Sequence, residues 1–434
     1  MADQLTPPIT PAAYRRRLLD DELDELMGGL SAIAIEGPKA VGKTATASQR
    51  AQSAHLLDDP DQQAIAAADL DRLLAAPPPV LIDEWQNVPP VWDRIRRAVD
   101  AGASPGSFLL TGSASPKDTG THSGGGRIVS VRMRPLSLAE RWPGEMTVSL
   151  STLLRGDGSA IAGQTARRLE DYTDEILRSG FPGLRDMNDR PLRAQLDSYL
   201  QRVVDRDFAE LGYTVRNPEG LLRWMRAYAA ATSGTASYEK IRRAAIGRDE
   251  PAVSRNAAAP YREVLGRLFQ LDPVAAWAPT GSHLNRVTLP DKHQLADPAL
   301  AARLLRVGAG DLLKGAGPML LTAKDGGLLG ALFESLVTLS VRVYAQAAEA
   351  SLGHFRAYGG EREIDLIVKG GSGRVLAIEV MLAATPTVRD GRHLNWLEQV
   401  IGDELIDKLI VTTGRNAYRR EDGIAVVPAA LLGP

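Results

Sequence analysis

The apolar positions of this chain fall into three regimes. From residue 31 to roughly 142, short apolar runs alternate with amphipathic stretches. Ser31–Glu36, Val80–Glu84 and Phe108–Ser113 read as strands. Each is a near-continuous apolar run, the pattern of a parallel strand covered on both faces. Thr44–Ala51 continues as a helix, and Val91–Ala101 sets Trp92, Ile95 and Val99 on one helical face. Residues 13–30 place Leu18, Leu19, Leu23 and Leu26 at helical spacing, which predicts a helix packed beside the first strand and its loop. The Gly-rich stretch 115–126 reads as a loop. Beyond it, Arg127–Ser137 alternates as a strand anchored by Ile128 and Val129, with Arg132 and Arg134 on one side.

From about 165 to 310 the period becomes helical. Leu196, Leu200, Val203, Val204 and Phe208 recur within a predicted helix Leu192–Leu211, and Leu221–Ala231 continues in kind. Tyr238–Ile246, Ala252–Ala259 and Tyr261–Leu268 read as three short helices, and Leu271–Leu289 as a hairpin that pairs Val274–Trp277 with Arg286–Leu289. Helices followed by a hairpin is the order of a winged helix. The last regime is α/β again. A long helix Leu328–Ala347 is followed by strands His354–Tyr358, Glu363–Val368 and Arg374–Val380, the last two joined by a turn at Gly370–Gly373.

The chemistry concentrates at the first strand end. Gly37-Pro38-Lys39-Ala40-Val41-Gly42-Lys43-Thr44 is a complete GxxxxGK[ST] loop between a strand and a helix. In that context the loop N–H groups and the helix N-terminus wrap phosphates, Lys43 reaches the β- and γ-phosphates, and the Thr44 hydroxyl ligates Mg2+. About forty residues on, the second strand ends in Asp83 and Glu84. Asp83 is the expected Mg2+ holder and Glu84 the base that polarises the attacking water. The third strand ends in Thr111-Gly112-Ser113, and Ser113 is the expected γ-phosphate sensor. Arg127 is a candidate finger toward a neighbouring subunit's nucleotide. These residues imply ATP and ADP as ligands, Mg2+ as cofactor and ATP hydrolysis as the reaction.

Composition narrows the field without adding chemistry. The length of 434 residues suggests about three domains, and 44% hydrophobic with 24% charged residues is ordinary for a globular chain. A net charge of −2 offers no global attraction to nucleic acid, and residues 185–270 hold 15 Arg/Lys against 11 Asp/Glu, a mild surplus. The absence of cysteine removes disulfides and thiolate metal sites and fits a cytoplasmic protein. The six histidines show no metal-ligand spacing. No uninterrupted apolar stretch of membrane length is present, and the first residues lack a basic start and an apolar core, so neither a span nor a secretory signal is expected.

In the last third, Asp365 and Glu379 lie on adjacent predicted strands and Glu334 on the preceding helix. This resembles a restriction-endonuclease-like core, whose signature is Asp followed by Glu-x-Lys. Met381 stands at the lysine position, and neither Lys369 nor Arg392 has a spacing that makes it a substitute, so cleavage is not expected. Over nearly its whole length the chain resembles a prokaryotic family of AAA-type P-loop ATPases ending in a domain of unknown function. The likeness rests on Gly37–Thr44, Leu57-Asp58-Asp59-Pro60, Leu81–Gln86, Leu109–Ala114, Arg134–Ser137, Gly180-Phe181-Pro182, Asp205-Arg206-Asp207, Leu295–Pro298, Leu332-Phe333-Glu334, Arg362–Asp365 and Ile378-Glu379-Val380.

That resemblance implies three α/β or helical parts. An AAA-type nucleotide-binding domain spans 1–150, a helical and winged-helix-like domain 151–315, and a nuclease-like α/β domain 316–434. The expected role is an ATP-driven motor or switch on DNA or RNA, a reading that a basic groove of Arg193, Arg202, Arg206, Arg242 and Arg243 would favour and that their scatter over separate helices counts against. The alternative is an ATP-gated scaffold that binds a protein partner or assembles as a homo-oligomer. An active nuclease is a third reading, which Met381 disfavours.

Overall fold

Ala32–Glu36 (β1), Ser53–Leu56 (β2), Val80–Asp83 (β3), Phe108–Gly112 (β4) and Val129–Arg132 (β5) form one parallel sheet in the order β2-β3-β4-β1-β5. The computed structural model describes residues 14–114, 125–156, 160–246, 253–279, 290–315, 317, 327–357 and 360–434. The chain divides into two compact units: the described residues up to Arg134 with Phe181–Gly183 and Val264–Gln270, and the remainder.

In the first unit the central strands are buried throughout, which is why their sequences are apolar runs rather than alternations. One cluster joins Ala32, Ala34, Ile82 and Leu110 of the sheet to Trp92 and Ile95 of the helix Pro90–Asp100. Trp85 and Trp92 pack with ring centroids 4.6 Å apart. Because β1 lies between β4 and β5, its carboxyl end opens onto the place where the strand order reverses, the usual ligand crevice of an open α/β sheet.

The second unit begins with helices. Asp189–Arg202 runs through a π-helical stretch, Val203–Asp207, into Phe208–Glu210. The wider turn explains how the consecutive Val203 and Val204 are both buried, where a regular helix would turn one of them partly outward. The two helices expected on either side of Pro260 are instead a single helix, Arg255–Arg267, with the proline inside. A proline there removes one N–H bond, and burial of Tyr261, Val264 and Leu265 offsets it. The expected hairpin also differs. Leu271 bridges Leu295 and Val274 bridges Lys292, both antiparallel. Trp277 N donates to His354 O at 2.7 Å, so this stretch lies along the C-terminal sheet. The expected second arm, Arg286–Leu289, lies outside the described residues, as does most of the loop 115–126.

Two short strands, Val148–Ser149 (β6) and Gly163–Gln164 (β7), precede the C-terminal set of Ser351–Arg356 (β8), Glu363–Lys369 (β9), Val375–Val380 (β10), Leu405–Thr412 (β11), Asn416–Arg419 (β12), Ala425–Pro428 (β13) and Leu432–Gly433 (β14). Seven of them form a mixed sheet, β7-β12-β13-β11-β10-β9-β8, and β14 pairs with β6. The β9–β10 pair is the antiparallel hairpin the Gly370–Gly373 turn predicts. The helix Gly327–Ala347 is long and apolar enough by composition to cross a membrane. With 83% of its apolar window buried, it serves as the core helix of this lobe.

Candidate functional site

The loop Gly37–Gly42 leaves β1 and enters the helix Lys43–Ser48. Two of its glycines are there for geometric reasons. A Cβ on Gly37 would lie 2.2 Å from the Met133 carbonyl oxygen, and Gly42 takes φ +100°. Ala40 also adopts a positive φ of 68° at the exposed crest. Pro38 and Val41 are buried, Lys39 is half-buried, and Val41 offers its carbonyl to Arg17 Nη1 at 2.8 Å.

Lys43 is buried, and its Nζ donates to the carbonyls of Gly37 and Pro38 at 3.0 Å each. Burial pushes its ammonium down to about 8, against the pull of the Glu84 and Asp83 carboxylates. The Thr44 hydroxyl donates to Asp83 Oδ1 at 2.7 Å, so both expected Mg2+ ligands touch before any metal is considered. Thr111 Oγ1 donates to the same oxygen. Burial raises the Asp83 carboxyl pKa while the two hydroxyls oppose the shift. A buried carboxylate paired only with hydroxyls is one whose charge a cation would complete, so this donor set fits Mg2+.

Glu84 has a left-handed backbone, φ 51°, unusual for a residue with a Cβ. Its Oε2 accepts from Ser113 Oγ at 2.9 Å and from the Gln86 side-chain amide. Adjacent strands β3 and β4 thus deliver Asp83, Glu84, Thr111 and Ser113 to one polar cluster facing the loop helix through Thr44.

Arg127 stands elsewhere. Val129 pairs with Ile33 near the entering end of β1, so Arg127 lies on the order of 15 Å along the strand from the loop end. It pairs with Asp100 at 2.8 Å, nearly half exposed. Any role at a phosphate would therefore involve another copy's nucleotide. The cation at the loop end is Arg132, in register with Glu36; its guanidinium lies 3.8 Å over the Phe269 ring and its charge helps lower Lys43. Two further supports escape sequence reasoning. Arg17 spans from Val41 O to Arg134 O, at 2.7 Å to the latter, and Tyr14 bonds Asp20 and, at 2.9 Å, Thr46 of the loop helix. The charged, Leu-spaced run around Arg17 gives no hint that this side chain is buried.

The acidic residues of the C-terminal lobe are only partly brought together. With Ile378 opposite Leu366, the β9–β10 register takes Asp365 and Glu379 to the same strand ends. Asp365 and Glu334 instead share the ammonium of Lys292, while Glu379 lies 3.7 Å from His393 Nδ1. Met381 packs against the apolar cluster of the lobe, Arg392 Nε meets His393 Nε2 at 2.9 Å, and Lys369 is at the far end of β9. Among the described residues no group of three or more His, Asp or Glu is arranged to hold a metal. The nuclease-type metal set does not fit here.

Residues 30–142 match the family described as an AAA domain, whereas 169–311 and 329–432 match two domains of unknown function, DUF8612 and DUF4143. The chain is 25% identical over 405 residues to uncharacterized proteins of Mycobacterium tuberculosis and Mycobacterium bovis, covering 92% of this chain and 80% of each relative. A solved structure, the Walker-type ATPase PABY2304 of Pyrococcus abyssi, is similar at 15% identity and TM-score 0.40, over 70% of this chain and 99% of that one. Residues 30–142, with the phosphate loop, the parallel sheet and the Asp83-Glu84 pair, form an AAA-type P-loop nucleotide-binding domain.

Proposed function

We propose that the protein is a Mg2+-dependent ATPase whose nucleotide cycle works a switch. The observation that carries this reading is the 2.7 Å contact between Thr44 Oγ1 and Asp83 Oδ1, with Glu84 next in sequence and Lys43 one residue before Thr44. On nucleotide binding, Lys43 exchanges the Gly37 and Pro38 carbonyls for the β- and γ-phosphate oxygens, and the loop N–H groups surround them. Thr44 and Asp83 would hold Mg2+, which would supply charge neutralisation on the phosphates. Glu84 takes the proton of the attacking water as its oxygen adds to the γ-phosphorus, and ADP leaves. Ser113 and Gln86 hold the Glu84 carboxylate until then, and the Ser113 bond to Glu84 supports a role for Ser113 in sensing the γ-phosphate.

Glu84→Gln tests the assignment. The variant should keep ATP and lose turnover by roughly a hundred- to ten-thousand-fold, the usual contribution of a general base. Lys43→Ala should lose binding itself. Turnover by Glu84→Gln at the parent rate would remove Glu84 from the mechanism.

The arginines of the helical region bear on the choice of client. Arg242 and Arg243 both pair with Glu239, at 2.7 and 3.0 Å, and Arg242 also binds the Val253 carbonyl. Arg193, Arg202 and Arg206 are exposed on a separate helix. Phosphate-backbone binding calls for several uncompensated cations in one groove, so a protein partner or a second copy of this chain is favoured over DNA or RNA.

A further inference from the structure

Lys292 is fully buried, yet its ammonium is surrounded by carboxylates. Nζ lies 2.8 Å from Glu334 Oε1, 3.1 Å from Asp365 Oδ1 and 3.3 Å from Glu363 Oε1. The acids come from two elements, the core helix and β9, and Glu334 and Asp365 are themselves almost wholly inaccessible. Asp365 Oδ2 also accepts from Val380 N at 3.0 Å, and Glu363 is shared with Arg356 at 2.9 Å. Three converging carboxylate oxygens are part of a divalent-cation shell, but Mg2+ needs its oxygens at about 2.0–2.1 Å and Ca2+ at about 2.3–2.6 Å. An ammonium with three donors meets the same oxygens at hydrogen-bond distance and leaves no room for a metal between them.

The lysine does not belong to the lobe's own sheet. It is carried on the stretch Pro290–Leu295, which exchanges both backbone hydrogen bonds with Val274, at 2.8 and 2.9 Å. The next residue, His293, is wedged against Tyr228 and Tyr238, with ring centroids 4.9 and 5.0 Å away, and its backbone pairs with Ser233 and Gly234. One short stretch thus plugs into the carboxylates on one side and into the helices on the other.

We propose that Lys292 is the resident cation of the Glu334–Glu363–Asp365 centre: it closes that centre to divalent metal and bolts Pro290–Leu295 to the C-terminal lobe. The lobe keeps the carboxylates of a cation site and supplies the cation from its own chain. Only removal of the lysine charge turns the centre into one that takes a divalent ion.

The test uses nucleotide-free full-length protein and Mn2+ as the probe, followed by electron paramagnetic resonance and by thermal unfolding in EDTA against Mn2+. In the parent protein, Glu334→Gln/Asp365→Asn should leave Mn2+ binding unchanged. Lys292→Met should lower the unfolding temperature in EDTA, gain a Mn2+ site and recover part of the lost temperature on Mn2+ addition. Adding Asp365→Asn to Lys292→Met should abolish that site. A parent protein that loses Mn2+ on Glu334→Gln/Asp365→Asn overturns the proposal, as does a folded Lys292→Met that gains no Mn2+. Should Lys292→Met not fold, the double carboxylate variant still decides between a metal centre and a lysine-filled one.

Discussion

ATP binding should be coupled to proton uptake by Lys43, and the structure sets the size of the effect. Burial holds this lysine at about 8 in the nucleotide-free protein, against an ordinary 10.5. Two neutral carbonyls satisfy its donors, but they supply little charge to stabilise an ammonium. Triphosphate oxygens supply that charge and raise the pKa in the complex. With a value near 8, the neutral fraction before binding is 1/(1 + 10), or about 0.1, at pH 7, and about 0.9 at pH 9. Each chain should therefore take up about 0.1 proton on binding at pH 7 and about 0.9 at pH 9. The sign follows: binding that consumes a proton weakens as pH rises. Affinity should be nearly flat below pH 8 and fall toward roughly tenfold per pH unit above it, and full recovery of the ordinary pKa caps the penalty near 3 kcal/mol. Calorimetric titration of Glu84→Gln with ATP, in buffers of different ionisation enthalpy, measures the uptake directly. Lys43→Met should bind more weakly and show none. Uptake that stays near zero at pH 9 with an unchanged Kd would refute the argument, because it would mean that Lys43 is either fully charged in the free loop or not in contact with the phosphates.

Two other predictions need only purified protein. Gly37→Ala places a methyl group 2.2 Å from a backbone oxygen of the strand exit, so the loop must shift; ATP affinity should drop sharply in titration while the circular dichroism of the C-terminal lobe is retained. His354 is buried and held neutral down to about 4, first by burial and then by Lys292. Its unfolded form binds a proton at about 6.5 and its folded form does not, so stability is full above that value and falls by up to about 3 kcal/mol as pH drops to 4, read by urea unfolding with His354→Gln as the flatter control.

What could be read from the chain followed the range of the interactions. The phosphate loop and the Asp83-Glu84 pair are local patterns, each fixed within a few residues of a strand end, and β1, β3 and β4 declare themselves as apolar runs. β2 does not: Ser53-Ala54-His55-Leu56 is a short edge strand with polar positions, and only its pairing to β3 identifies it. Likewise β11 to β14 follow the helix Arg392–Ile401, beyond the last strand that apolar runs mark clearly. The supports of the loop were illegible for a different reason. Arg17 closes on Arg134 across 117 residues, and Phe269 reaches Arg132 from a distant part of the chain. A charged residue in a polar run looks solvated until its tertiary partners are known. Arg127 follows the sensor strand in sequence, whereas strand direction puts Arg132, not Arg127, beside the chain's own loop.

The same limitation accounts for the C-terminal lobe. Sequence spacing asks whether a lysine follows Glu379 by two, finds Met381, and stops. The lysine that matters lies 73 residues before Asp365 and arrives through a backbone pairing with Val274. The two lysines then stand in opposite electrostatic situations. Lys43 has carbonyls where it needs anions, sits well below its ordinary pKa, and gains most from a ligand that brings negative charge. Lys292 already has its anions, in a centre with no opening for another cation. Free energy released by binding can be recovered at the first and not at the second, since only an unsatisfied charge responds to a new partner. The phosphate loop is therefore the centre poised to respond to an anionic ligand, while the charges of the acidic centre already satisfy one another.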